Sequence, residues 1–252
     1  QPPENVFAQA GAGSWSASAT WQSGAAPAAG GGSALLLRLT ADSDNDLAGS
    51  FLARRLQLLG TAAAALSGNA LTLAGPVSQP SAGDWTVSAP VSVPAAFTVD
   101  NAGSLTFSQP IGITNSGLFV KSGSGTLTLL QAFANGFGTA YLYGGTVALP
   151  ALPATPAAWE LYSSANTPAT LRFTAPGTIA RRINLYGSDF PGLGVAAGGG
   201  TVTLSDWTVA FGANAAFDVA GGDTLSLRQL LRFRLDNGMA SAPALLKTGP
   251  GT

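Results

Sequence analysis

Lys121-Ser122-Gly123-Ser124-Gly125-Thr126-Leu127-Thr128-Leu129 is the stretch from which the fold is read. From Thr126 onward Thr and Leu alternate, which puts apolar groups on one face and hydroxyls on the other, the pattern of a half-buried strand. The glycines ahead of it mark a corner, because Gly enters backbone conformations with φ > 0 at no steric cost. The same texture returns in both directions: Asp84-Trp85-Thr86-Val87, Ser104-Leu105-Thr106-Phe107, Gly144-Gly145-Thr146-Val147-Ala148-Leu149, Gly200-Thr201-Val202-Thr203-Leu204 and Asp223-Thr224-Leu225-Ser226-Leu227. Turn residues recur about every 10 residues, within larger units of roughly 20–25. Leu52–Leu59 and Leu227–Leu235 place Arg among Leu at a spacing a helix also satisfies; over Leu231–Leu235 strict alternation favours a strand. Proline is too frequent between 76 and 94 for a helix there.

The chain is therefore expected to be all-β. Two architectures fit: a right-handed parallel β-helix, in which each coil stacks on the next, and an antiparallel β-sandwich pair divided near residue 150. The expected division is 1–34 as an N-terminal cap with the first strands and 35–252 as a continuous β-solenoid.

Composition narrows the chemistry. Of 252 residues 46% are hydrophobic and 9% charged, against about 25% charged in an average domain. The formal net charge of −1 lacks the basic footprint of a nucleic-acid binder. With no histidine and no cysteine, His-based nucleophile systems, thiolate chemistry, disulfides and zinc fingers are excluded. No run of apolar residues is long enough for a membrane-spanning helix. Ala8-Gln9-Ala10 has the look of a leader cleavage site, but Gln1–Val6 supplies no apolar segment before it. Small uncharged residues, few lysines and no cysteine favour an extracellular or cell-surface protein whose signal peptide has been removed.

The two lysines sit in one frame. Leu118-Phe119-Val120-Lys121-Ser122-Gly123-Ser124-Gly125-Thr126 is echoed by Leu245-Leu246-Lys247-Thr248-Gly249-Pro250-Gly251-Thr252. With Gly138-Thr139 and Gly144-Gly145-Thr146 completing the first copy, residues 118–149 resemble the autotransporter-associated β-strand repeat; 11–75 resemble it more weakly. The resemblance implies an extracellular right-handed β-helix with repeat positions Lys121, Gly123, Gly125, Thr126, Gly144 and Gly145. Nothing in 150–252 resembles the strands of an outer-membrane barrel. The second copy stops inside the repeat, which suggests a fragment, a processed product or an end completed by another chain. Leu245, Lys247, Gly249 and Gly251 are the assembly positions on that reading, and Trp15 and Trp21 the cap.

Candidate sites are few. Asp42, Asp44 and Asp46 alternate and offer hard oxygen ligands for calcium, without the glycine and glutamate that complete an EF-hand loop; no other cofactor is expected. Arg54-Arg55 and Arg181-Arg182 are basic pairs of which one member each should face outward. Arg232 and Arg234 share a strand face near Arg228. Tyr141 and Tyr143 share a face that could stack on sugars, within a wider set of Trp15, Trp21, Trp85, Trp159, Trp207, Tyr162 and Tyr186. For glycoside chemistry the carboxylates are Glu4 and Glu160, with Asp206, Asp218 and Asp223 as spaced candidates. The expectation is a non-enzymatic surface rod, stalk or filament subunit, joined head-to-tail or by neighbouring repeats of a longer chain. The alternatives are a glycan-binding adhesin and a polysaccharide-degrading β-helix enzyme.

Overall fold

A computed structural model describes residues 5–113, 117–131, 133, 138–150, 158–164, 167–187, 191–206, 208–211, 215–228, 232–234 and 245–252. The chain divides into two compact units: residues 1–117 with 125–135, and residues 118–124 with 136–252. Each is a stack of coils whose strands pair in parallel with those of the next coil, so the protein is a β-solenoid. Antiparallel contact between described residues is limited to the single bridges Gln9–Trp21 and Ser164–Thr167. The sandwich alternative is thereby set aside. The one helical turn among the described residues is Ser18–Thr20, and no helix is long and apolar enough to cross a membrane.

In the first unit three short strands make a coil. Leu71–Leu73, Val77–Gln79 and Asp84–Val87 are followed by Val91–Val93, Phe97–Asn101 and Ser104–Phe107. Leu71, Val91 and Ile111 lie in register, so the coil advances by twenty residues there. Asp84–Val87, Ser104–Phe107 and Thr126–Leu129 stack likewise. Alternation does what the sequence predicts: Trp85, Val87, Leu105, Phe107, Leu127 and Leu129 fill the interior, and Thr86, Thr106 and Thr128 stay outside. Burial of such side chains, worth about 1.5–3 kcal/mol each, is the main stabilising term.

The ambiguous Leu52–Leu59 segment is a strand, Phe51–Leu58. Its two halves pair with different partners, Phe51–Ala53 with Leu71–Leu73 and Leu56–Gln57 with Val77–Ser78. The bend between them falls at Arg54-Arg55, which interrupts alternation and leaves both arginines half-buried. The expectation that one member faces outward fails at this pair for that reason. At Arg181-Arg182 the strand begins at Arg182, which is exposed, while Arg181 is half-buried.

The N-terminal segment already belongs to the stack. Asn5–Ala8 pairs with Leu35–Arg38 and Gly13–Ser14 with Ser43–Asp44. Trp15 and Trp21 are buried, edge-to-face at 6.0 Å, with Phe7 5.7 Å from Trp21 and Phe51 5.0 Å from Trp15. Both indole N–H groups are satisfied, by Ser43 Oγ and by the Trp15 carbonyl.

Coil length varies in the second unit, and Ala140 pairs with Trp159 after 19 residues. Trp159 pairs with Ile183 and Ile183 with Thr208, a rise of 24 and then 25 residues. Its three sheets run through Phe119–Ser122, Thr139–Leu142, Ala158–Tyr162, Arg182–Tyr186, Thr208–Phe211 and Arg232–Arg234; through Gly145–Leu149, Ala169–Phe173, Gly192–Val195, Ala215–Val219 and Leu245–Thr248; and through Gly177–Ile179, Thr201–Leu204 and Thr224–Leu227. The strand reading of Leu231–Leu235 holds for the described Arg232–Arg234.

The corner glycines need a second explanation besides φ. Gly123 (φ 78°) and Gly145 (φ 68°) take the left-handed conformation. Gly83, Gly103 and Gly125 do not. They stack one above another, and a Cβ on each would lie 2.2, 2.2 and 2.1 Å from the carbonyl oxygen of Gly60, Gly83 and Gly103 respectively. These coils approach too closely for any side chain. Gly103→Ala is expected to cost about 1–3 kcal/mol or more through this overlap. Gly112→Ala, whose Cβ would meet nothing nearer than 3.9 Å, is expected to stay within about 1 kcal/mol of the parent. Denaturant midpoints of the two variants check the contrast.

Candidate functional site

The repeat lysine is inside the protein. Lys121 is fully buried, and its ammonium donates to the carbonyls of Ser122, of Gly123 at 2.9 Å and of Gly144 at 3.3 Å. Two acceptors belong to its own corner and the third to the next coil. Gly123 takes φ > 0 so that its carbonyl turns inward. Lys-x-Gly is thus a cation held in a ring of backbone oxygens, which provides the hydrogen bonds a buried charge needs.

Other residues do this work without spelling the motif. Asn101 is buried and its Nδ2 donates to Gly103 at 2.7 Å and to Thr126, one coil on, at 3.0 Å. Gln79 donates to the carbonyls of Gly83 and, at 3.3 Å, Ser104. Gln9 donates to Asp42 at 2.9 Å and accepts from the N–H groups of Thr40 and Ala41. Each ties its own corner to the following coil. Lys247, the echo, is exposed and donates to Gly249 at 2.8 Å. Beside it Phe217, Val219, Leu225 and Leu227 line a small apolar hollow closed by Thr252.

The acidic candidates are dispersed. Asp42, Asp44 and Asp46 all project outward, while Ser43, Asn45 and Leu47 are buried between them. Alternate residues of a strand stand about 7 Å apart, and each carboxylate serves a different neighbour: Asp42 the N–H of Ala65, Asp44 the Ser67 hydroxyl, Asp46 the N–H and hydroxyl of Ser16. The Ser16 hydroxyl, then its backbone N–H, holds the Asp46 carboxyl below its ordinary range. Among the described residues no three His, Cys, Asp or Glu groups are grouped to hold a metal.

Two of the carboxylates named for glycoside chemistry, Asp218 and Asp223, hold neighbouring coils. Asp218 pairs with Arg172 across Gly194, which lies between them in register and whose lack of a side chain leaves the path open. Asp223 is buried and accepts from the N–H groups of Gly198 and Gly200 at 3.1 and 2.8 Å, fixing a loop of the preceding coil. Glu4 and Trp207 lie outside the described residues, as do the side chains of Arg232, Arg234 and Leu245. Arg228 is exposed.

The tyrosines gather. Tyr143, Tyr162 and Tyr186 form a column with ring centroids 5.1 and 4.6 Å apart, because register places Tyr162 opposite Tyr186 on successive coils. Tyr141 and Glu160 are opposite each other, and Glu160 accepts from Asn184 Nδ2 at 2.8 Å. The sequence reading paired Tyr141 with Tyr143 and missed the column, whose members are a variable number of residues apart. Burial raises the Tyr162 and Tyr186 phenols above the ordinary range, Glu160 adding its hydrogen bond and charge at Tyr186 and its charge at Tyr162.

Compared with protein families, curated proteins and solved structures, the chain matches none of them.

Two outcomes are expected. Lys121→Met leaves several inward carbonyls without a donor and should lower stability by about 1–3 kcal/mol in urea; Lys247→Met, at the exposed echo, should stay within about 0.5 kcal/mol. A folded-state pKa raised at Tyr186 means that its stabilising contribution is complete below the ordinary phenol range and fades as pH rises through it. Ultraviolet titration should show Tyr186 ionising late, and Glu160→Gln should bring it forward.

Proposed function

We propose that the chain is an extracellular structural protein of the autotransporter-associated repeat kind, a stalk or filament subunit that associates head-to-tail through its coil faces. The observation that carries this reading is the carbonyl cradle of Lys121. The repeat motif is spent on joining one coil to the next, and its acceptors include the next coil's Gly144. The chain's polar side chains serve the same end at Gln9, Gln79, Asn101 and Asp223. A motif of this design implies that a coil bearing it is stabilised by whatever stacks upon it.

Lys247 supplies the surface. Lys247 borders the apolar hollow of Phe217, Val219, Leu225 and Leu227, and its strand neighbour Leu246 is 45% exposed. In the first unit, Asn5–Ala8 pairs with Leu35–Arg38 alone among the described residues and exposes Val6 (44%). Exposed parallel edges of this kind pair readily with another strand, and heterologous contacts that do not close by rotation build fibres. Presentation at a cell surface accords with a chain free of cysteine and low in charge.

Sedimentation velocity over a wide concentration range tests the assembly. Growth in size with concentration, lost on Lys247→Glu with Leu246→Asp, is the expected outcome. A single-chain species at every concentration would sink it.

A further inference from the structure

The tyrosine cluster contains two kinds of ring contact. In the column Tyr143–Tyr162–Tyr186 the rings cover one another's faces, at interplanar angles of 24° and 7°. That part is closed to a ligand. Tyr141 and Tyr143 are different. Tyr141 lies on the strand Thr139–Leu142 and Tyr143 directly follows that strand; their rings are nearly parallel, 5° between planes, with centroids 6.2 Å apart, wider than in the column, and Tyr141 also lies 6.4 Å from Tyr162 at 24°. On the strand side away from Tyr162, the neighbours in register are not aromatic. Val120 lies opposite Tyr141. The Tyr143 N–H bonds to the Lys121 carbonyl at 2.8 Å, which sets Ser122 beside Tyr143. Tyr143 is 49% exposed. The result is a panel of two nearly parallel aromatic faces above a floor of small side chains.

The panel is braced from behind. Tyr162 stacks on Tyr143, and Glu160, opposite Tyr141, is held by Asn184. Rings fixed in this way lose little conformational freedom on binding.

We propose that the Tyr141–Tyr143 panel binds an equatorially linked β-glycan, two successive pyranose rings lying flat against the two tyrosines. The face of an aromatic ring is electron-rich and attracts polarised C–H groups. A pyranose with equatorial substituents presents such C–H groups on its flat faces and hydroxyls around its rim. In a β-1,4-linked chain successive rings keep nearly parallel faces, which suits two aromatic faces 5° from parallel. In an α-1,4-linked chain they curve away. The tyrosine hydroxyls and Ser122 are placed to meet the rim. An apolar peptide is a poorer occupant, because the surface is a panel with polar edges rather than a pocket that removes side chains from water.

The test uses the full chain with cellohexaose, chitohexaose and maltohexaose as probes. Saturation-transfer NMR on the parent protein reads whether irradiated tyrosine ring protons pass magnetisation to sugar C–H protons. Transfer to one of the β-linked probes and not to maltohexaose supports the proposal. Affinity for that probe should fall at least tenfold in Tyr143→Ala and in Tyr141→Ala, and should be kept within twofold in Tyr143→Phe. Far-ultraviolet circular dichroism confirms that the half-exposed positions tolerate truncation. No transfer to any probe, equal transfer to maltohexaose, or unchanged affinity in folded Tyr143→Ala overturns it. Because the NMR arm needs no variant, a misfolded mutant does not shelter the idea, and the result stands whether or not the chain self-associates.

Discussion

The approach of one coil to the next at the glycine corner sets the terms for the first unit. The Gly83 carbonyl occupies the place where a Cβ of Gly103 would lie, and the Gly103 carbonyl does the same to Gly125. Once that distance is fixed, strands on either side are held at ladder spacing, and alternate Leu, Val, Phe, Trp and Ile fill the interior. The corner also turns carbonyls inward, where water does not reach them. Buried acceptors must be satisfied, and Gln79, Asn101 and Lys121 satisfy them at their corners.

This explains why amides and an ammonium are interchangeable at the corner. Gln79, Asn101 and Lys121 differ in charge but each brings N–H donors to oxygens that already point at one place. The lysine is the costliest of the three to bury. It is also the donor with most hydrogens, and at Lys121 it reaches three carbonyls. Its wider grasp joins two residues of its own corner to Gly144, where Asn101 joins one of its own to Thr126.

Much of this was legible in the sequence because alternation is a direct image of in-and-out packing. Thr126–Leu129, Ser104–Phe107 and Asp84–Val87 were readable as strands, and the paired lysine frames pointed to stacked coils. Three things were hidden. Arg54-Arg55 reads as mid-strand but sits where one strand changes partners, and a change of partner leaves no mark in composition. Gln79 and Asn101 share a role with Lys121 but no letters. The tyrosine column depends on register between coils whose lengths vary, so Tyr162 and Tyr186 look unrelated until the strands are paired. The reason for glycine at 125 was misread as well: that position, like 83 and 103, needs empty space, not an unusual φ.

The clasp between Arg172 and Asp218 skips a strand. Stacked-coil proteins behave to a first approximation as one-dimensional chains in which each layer senses only its neighbours. Gly194 breaks that rule locally by letting layers two apart touch. Strands Ala169–Phe173, Gly192–Val195 and Ala215–Val219 are therefore laced into a single mechanical element. A pull that peels strands from Leu245–Thr248 must here shear three layers at once. The half-exposed pair adds little to equilibrium stability. Its consequence lies in the order of rupture, since it sets a place where progressive unravelling is made to pause.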